Sequence, residues 1–445
     1  MALAASQIDE QLRCAMSTAL CGSVVGSVGL TASVADFPAP VGALVEIERP
    51  GGAPLAGEVI GFRDQLTLVS LLDEPGGMRR GCRVRLRRTA RWIRVGRELL
   101  GRVMNAHGQV IDGRPQPSLD HRAPLDRTAL PAVARRRIDE PLSTGIRAID
   151  GLLTCGKGQR MGVFAGSGVG KSVTLGMMSR YTAADVIVVA LVGERGREVN
   201  EFIQRDLGPA MAKSVVVVAT SDEPAPLRVR AAFAATAVAE HFRDQGLDVL
   251  LLMDSLTRLA LAQREIGLAA GEPPTTRGFP PSVFAMLPKL LERAGRTAQG
   301  SITGFYAVLV EGDDPNEPVS DVVRGLLDGH TWLSRKLAAR GHYPAIDILE
   351  SISRLMLEVA DRRHVEAAQT LRELLSVYRD HEDLISIGAY RPGSQAMVDR
   401  AIAMHDEINA YLRQSIDESS SIADARKALL QIVEKSRGKA AVAGT

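Results

Sequence analysis

Between residues 22 and 94 the chain runs in short apolar stretches, at 24–30, 43–47, 55–62, 66–72 and 83–86, separated by polar turns. Those turns include Pro50-Gly51-Gly52 and Glu74-Pro75-Gly76-Gly77. Closely spaced short strands divided by glycine and proline predict a small β-barrel. Ahead of it, residues 1–20 carry Ile8, Leu12 and Met16 at helical spacing, which predicts one short amphipathic helix with little core of its own to bury against. Such a helix is expected to dock a partner; a frayed terminus is the plainer reading.

The pattern changes after residue 142. Near-continuous apolar runs at 161–165, 186–192, 215–219, 249–253 and 305–310 alternate with helix-length segments at 171–180, 227–245 and 282–294. Strands buried on both faces read this way, so a parallel sheet flanked by helices is predicted. A proline- and arginine-rich stretch, 114–141, leads into it as a surface linker. From about residue 356 strand signals vanish, and helical patterns at 365–379, 397–412 and 422–434 predict a helical C-terminal domain. The expected division is an N-terminal helical extension at 1–20, a barrel at 21–94, a linker and α/β domain at 95–355, and a helical domain at 356–445.

Composition narrows the class without naming a ligand. Apolar residues make up 45% of the 445 residues, charged residues 24%, and the formal net charge is +2, so charge alone argues for neither nucleic acid nor an acidic substrate. Four cysteines, Cys14, Cys21, Cys82 and Cys155, form no CxxC pair, which suits a reducing cytoplasm. No signal peptide or apolar span of membrane length is expected, so any work at a membrane requires recruitment. One local exception is residues 79–94, with eight arginines in sixteen positions interleaved with Val84, Leu86 and Trp92. This stripe reads either as an anion-binding surface or as a barrel strand with a charged outer face; the second fits the alternation better.

Chemistry enters with Ala165-Gly166-Ser167-Gly168-Val169-Gly170-Lys171-Ser172, which follows an apolar strand and opens a helix. Its glycines let backbone N–H groups cradle phosphate oxygens, with Lys171 on the β- and γ-phosphates and the Ser172 hydroxyl on Mg²⁺. Gly166, Ser167, Gly168, Val169, Gly170, Lys171, Ser172 and Val173 are the expected nucleotide-binding residues. The buried run 248–254 ends in Asp254, a candidate second Mg²⁺ ligand or, more plainly, a helix cap. The run 186–192 leads to Gly193-Glu194-Arg195-Gly196-Arg197-Glu198. Glu194 is the candidate base that orients the attacking water, with Arg195 nearby for phosphate charge, whereas Arg197 and Glu198 read as a solvated turn.

These motifs together are specific. GERGREVNEF (193–202), AGSGVGKS (165–172) and LLLMDSLTR (250–258) resemble the catalytic core of the rotary ATPase superfamily, and the chain is most similar to the ATPases of type III protein export. GFPPSVFAMLPKLLERAG (278–295), the segment 316–347 and SISR (351–354) agree, and VEGDDPNEP (310–318) looks more like the flagellar export ATPase than the virulence-secretion one. The resemblance implies a RecA-like P-loop core and a homo-hexameric ring that hydrolyses Mg-ATP. It places the magnesium aspartate on Asp254, the catalytic glutamate on Glu194, a phosphate-side arginine on Arg258, the adenine-stacking aromatic on Tyr343 and a neighbour-supplied arginine finger on Arg354. The segment 267–281 is then expected as a loop near the ring axis. It also implies an export regulator or stator at the N-terminus, export chaperones and unfolded substrates, and peripheral recruitment from the cytoplasm to an inner-membrane export gate.

Two rivals share the core. An RNA translocase of the transcription-terminator kind needs a base-stacking platform in its barrel, yet residues 22–94 hold only Phe37, Phe62 and Trp92 as aromatics. No specific nucleic acid is therefore expected. A non-catalytic ring subunit would not need Lys171, Glu194 and Asp254 together.

Overall fold

The computed structural model describes residues 20–310, 314 and 317–442. The helix expected over residues 1–20 lies outside that set except for Leu20, as does most of the diagnostic 310–318 stretch.

Six antiparallel strands close into a barrel: β1 (Cys21–Val28), β2 (Thr31–Ala35), β3 (Leu44–Ile47), β4 (Leu55–Arg63), β5 (Leu66–Leu71) and β6 (Arg83–Arg88), in the order β1-β2-β5-β4-β3-β6 with β6 returning to β1. The apolar run at 24–30 covers the end of β1 and the turn of a hairpin whose second strand, β2, follows it. Gly29 takes φ +53 in a two-residue turn and Val28 pairs with Thr31. Alternate residues, among them Val34, Val45, Ile47, Val69 and Val84, fill the interior. On β6, Val84 and Leu86 point inward while Arg85 and Arg87 point out to Glu48 and Glu46 on the β3 side, at 2.6 and 2.5 Å. Cross-strand pairing thus accounts for Arg85 and Arg87 of the stripe as the outer face of a barrel strand.

The second unit is a mostly parallel sheet built from β7 (Arg102–Asn105), β8 (Arg160–Ala165), β9 (Val186–Glu194), β10 (Ser214–Thr220), β11 (Asp248–Asp254), β12 (Ser301–Leu309), β13 (Gly329–Leu333) and β14 (Ile346–Ser353). Its order is β14-β13-β8-β12-β11-β9-β10-β7, and β14 alone on this path runs antiparallel to its neighbour. The apolar pattern predicts β8 to β12 but not β7, β13 or β14, whose mixed polar sequences suit positions at the two sides of the sheet. Strand β9 shows the double burial directly. Val186, Val188, Ala190 and Val192 join one core with the helices Ala225–Asp244, Leu256–Ala270 and Pro281–Leu291. Ile187, Val189 and Leu191 join the other, with the helix Lys171–Tyr181.

The three C-terminal helices, Arg362–Ser386, Ala396–Leu412 and Ile422–Val442, pack into that second core through Leu371, Leu374, Met404, Ile408 and Leu429. They therefore belong to the same layer as the helix that follows the phosphate loop. The segment expected as a loop from residue 267 is still helix as far as Ala270, with Gly267 buried; the loop proper begins at Gly271, which takes φ +89.

One buried ion pair in the first core gives a stability prediction. Arg293 and Glu240 meet through two bonds of 2.6 and 3.0 Å, with side chains only 1% and 3% exposed. Glu240→Ala would leave a desolvated guanidinium unpaired, so urea unfolding of the variant is expected to show a loss of about 3–5 kcal/mol. A loss below about 1 kcal/mol would mean that water or a new partner reaches Arg293.

Candidate functional site

Strand β8 delivers the chain to the phosphate loop at the carboxyl edge of the sheet. Gly168 and Gly170 take φ +79 and +91, a region that L side chains rarely adopt, and Gly170 is the residue on which the helix Lys171–Tyr181 begins. Val169 is buried as the anchor of the loop, while Ser167, Gly168 and Ser172 face solvent. The loop is thus a turn of exposed backbone whose N–H groups sit at a helix amino end, where the partial charge is positive.

Two other strand ends converge on Lys171. Asp254 closes β11, and its Oδ1 pairs with Lys171 Nζ. Glu194 closes β9, and its Oε1 lies 3.7 Å from the same Nζ. By simple strand alternation Glu194 would share the side of Val188, Ala190 and Val192, in the first core and away from Lys171. A bulge corrects this: the pairing of β9 with β10 skips from Val192 to Glu194, and Gly193 takes φ +70. The inserted residue turns the carboxylate toward the phosphate-loop side. Arg258 completes the group. Its Nη1 donates to the Gly193 carbonyl and its Nη2 lies 3.3 Å from Glu194 Oε2. Gly193 takes a φ that favours glycine, and a Cβ there would also press on the Arg258 side chain at 3.2 Å.

Burial sets the electrostatics. The side chains of Lys171, Glu194 and Asp254 are 11%, 8% and 5% exposed. Desolvation, together with the neighbouring Asp254 charge, pushes the Glu194 carboxyl up to about 7, against the pull of Lys171 and Arg258. Glu198, in the helix that follows the strand end, hydrogen-bonds to Glu194 and raises it further, while its own carboxyl is lowered by the same contact. A carboxylate that must be ionised to act as a base then gives an acid limb near neutrality in the kcat/KM profile, which reports the free enzyme. Glu198→Gln removes one of the raising contacts, so this limb is expected to move to lower pH. An unmoved limb would detach Glu198 from Glu194.

The site is also fit for a nucleotide and its metal. Glu194 Oε1 is buried without a hydrogen-bond partner, a costly state for a carboxylate oxygen unless water or ligand completes it. Among the described residues no group of three or more His, Cys, Asp or Glu could hold a metal ion. Mg²⁺ does not need one, since it is held through one or two protein oxygens plus phosphates and water. Ser172 and Asp254 supply such oxygens at the loop. Tyr343 stands beside the loop, 47% exposed, with its ring 3.6 Å from where a Cβ on Gly170 would be. An aromatic face open on one side and backed by the loop can stack a base.

Residues 145–353 match the ATP synthase alpha/beta family, nucleotide-binding domain, and residues 360–431 match the T3SS EscN ATPase C-terminal domain. The chain is 47% identical over 412 residues to the "Flagellum-specific ATP synthase" of Bacillus subtilis, covering 92% of this chain and 93% of that one. It is 48% identical over 415 residues to the "Type 3 secretion system ATPase" of Xanthomonas euvesicatoria, covering 93% and 94%. The chain belongs to the type III protein-export ATPases. Its fold agrees with the assembled ATPase EscN from the type III secretion system of enteropathogenic E. coli, at a TM-score of 0.89 and 44% identity over 93% of this chain and all of that one.

Two arginines of this export ATPase stand away from the cluster. Arg195, expected near phosphate charge, is 73% exposed at the start of the helix Gly196–Glu201 and lies 3.5 Å from Glu198, so it faces solvent instead. Arg354 lies at the opposite edge of the sheet. Because β14 runs antiparallel to β13, it ends where β13 begins, and the Arg354 N–H donates to the carbonyl of Asp328. The Asp328 carboxylate in turn accepts from the N–H of Arg160, the first residue of β8. Six residues of β8 then separate it from the phosphate loop, roughly 20 Å of strand. The two positions that the motifs do not reveal are Gly193 and Glu198. Gly193 acts through the bulge in its pairing with β10, and Glu198 through the turn from β9 into the helix Gly196–Glu201, which folds its side chain back on Glu194.

Proposed function

We propose that this export ATPase works as a ring of identical subunits that hydrolyses Mg-ATP to energise the export of unfolded proteins, most closely in the manner of the flagellar system. The observation that carries the reading is the buried Glu194 Oε1 with no hydrogen-bond partner, 3.7 Å from Lys171 at the mouth of a phosphate loop. Lys171 binds the β- and γ-phosphates, the loop from Gly166 to Val173 cradles them, and Ser172 and Asp254 hold the metal. Mg²⁺, when bound, neutralises charge on the phosphoryl oxygens. Glu194 orients and polarises the attacking water, and Arg258 holds Glu194 in place. Tyr343 stacks the adenine. Arg354 serves the site of the next subunit, as its position at the opposite sheet edge supports.

Turnover then moves the C-terminal helices, releasing chaperones and loading substrates at a membrane export gate. A central stalk partner is proposed by likeness to the EscN relative, whose complex with its central stalk EscO matches this chain at a TM-score of 0.86. Residues 1–20 are proposed to dock the export regulator. Recruitment from the cytoplasm fits the absence, among the described residues, of any helix long and apolar enough to cross a membrane. Against the RNA-translocase alternative, Phe37 is buried, the Trp92 ring is approached by the guanidinium groups of Arg88 and Arg122 at 4.3 and 4.5 Å, and the exposed Phe62 is a single ring rather than a cluster of aromatics.

A phosphate-release assay paired with mass measurement, with and without a non-hydrolysable ATP analogue, tests the proposal. Magnesium-dependent phosphate release and a nucleotide-promoted ring mass are expected. ATP binding without phosphate release would make the chain a non-catalytic subunit, and a monomer under all conditions would remove the ring.

A further inference from the structure

The connector between the helices Ala396–Leu412 and Ile422–Val442 is fastened to the nucleotide site at three places, and one residue joins them. Gln414 is only 5% exposed. Its backbone N–H donates to the carbonyl of Tyr343 at 3.0 Å. Its side-chain Oε1 accepts from the N–H of Arg147 at 2.8 Å, and its Nε2 donates to the carbonyls of Gly145 and Glu418, each at 2.8 Å. The Arg147 side chain grips the same connector from outside, donating to the carbonyls of Tyr411 and Arg413 at 2.8 and 2.7 Å and pairing with Glu418 at 2.8 Å.

These anchors lead to the phosphate loop by two routes. Gly145, at φ +80, packs directly on Tyr181, the last residue of the helix that begins at Lys171. The Tyr181 hydroxyl and Arg180 Nη2 both donate to the carbonyl of Ile416, at 3.0 and 2.9 Å. The other route is Tyr343 itself, whose ring lies against Gly170. Gln414 thus bonds at once to the backbone of the aromatic and to the segment packed on the far end of the phosphate-loop helix. Because its amide is buried and both its side-chain polar atoms are used, it has one workable orientation.

We infer that Gln414 is a positioning residue that fixes Tyr343 for the nucleotide base, and that through it the C-terminal helices set nucleotide affinity. This rests on the reading of Tyr343 as the base-stacking aromatic. The Gln414 side chain bonds to Arg147, Gly145 and Glu418 and to none of Lys171, Glu194 and Asp254, so losing it should weaken binding and leave the chemical step alone. Gln414→Ala keeps the backbone donor to Tyr343 but frees its anchor.

The experiment is a double-mutant cycle on the full-length chain, with equilibrium binding of a non-hydrolysable ATP analogue and kcat as separate readouts. Gln414→Ala is expected to raise Kd by about three- to tenfold, with kcat within about twofold of wild type. In a Tyr343→Ala background the same substitution should add nothing, because its effect runs through the ring. Arg147→Met, which loosens the connector without altering Gln414, should also raise Kd and also lose its effect without the ring; it carries the test if Gln414→Ala fails to fold. An additive effect, or an unchanged Kd in folded Gln414→Ala, overturns the positioning role. If Tyr343→Ala itself binds like wild type, the stacking reading falls, and this inference falls with it.

Discussion

Glu194→Gln is expected to bind ATP nearly as well as the wild type while turnover falls by about two to four orders of magnitude. The change is isosteric and leaves Lys171, Ser172 and Asp254 in place, so the phosphate and metal contacts proposed for them survive. What is lost is a carboxylate oxygen that is buried beside Lys171 without a hydrogen-bond partner, the feature that fits a water-orienting base. Stability should not confuse the result. The folded-state carboxyl is raised from 4.5 to about 7, so the folded protein holds a proton that the unfolded chain releases within that window. Its ionisation therefore costs stability as pH rises from 4.5 to about 7, and a neutral amide escapes that cost. Above that window the variant is expected to melt no lower than the wild type. Binding by a fluorescent nucleotide and phosphate release in the same preparation check both halves, and wild-type turnover would remove Glu194 from the mechanism.

The phosphate loop is legible in the sequence because its chemistry is local. Glycines, lysine and serine at fixed offsets between an apolar strand and a helix specify a conformation with no help from the rest of the chain. Asp254 and Glu194 are legible as strand-end carboxylates, since a parallel sheet presents all such ends on one edge. Their geometry is not. Whether Glu194 faces Lys171 depends on the bulge at Gly193, a register shift against β10 that no single strand encodes. The same gap explains the neighbouring misreading. Glu198 sits in a charged turn that suggests solvent, yet the turn from β9 into the helix Gly196–Glu201 brings it to Glu194, while Arg195 turns outward to Glu198. In the fold, apolar runs reveal the central strands buried on both faces, and β7, β13 and β14 escape because their sequences mix polar with apolar residues. That omission has a functional side, because the direction of β14 decides where Arg354 lies.

Arg354→Ala is expected to bind ATP with modest loss and to lose turnover by about three to five orders of magnitude, the scale of an arginine finger. Within one chain this arginine has no route to the site. It is exposed, follows the antiparallel edge strand, and stands at the amino edge of the sheet while Lys171, Glu194 and Asp254 stand at the carboxyl edge. Its surroundings suit a contact between subunits, since Ile352 and Leu357 beside it are 46% and 69% exposed. Head-to-tail association that seats this edge on the phosphate-loop edge of a second copy would give each site the cation proposed for it, and repetition of the contact would close a ring. Specific activity of the wild type should then rise with protein concentration. Mixing Arg354→Ala with Lys171→Ala is the sharper test. Each variant alone lacks one half of every site, but in mixed rings some interfaces pair an intact Lys171 with an intact Arg354. Partial recovery of phosphate release is expected in the mixture. No recovery despite demonstrated co-assembly, together with turnover of the wild type that is independent of concentration, would mean that Arg354 completes no neighbouring site.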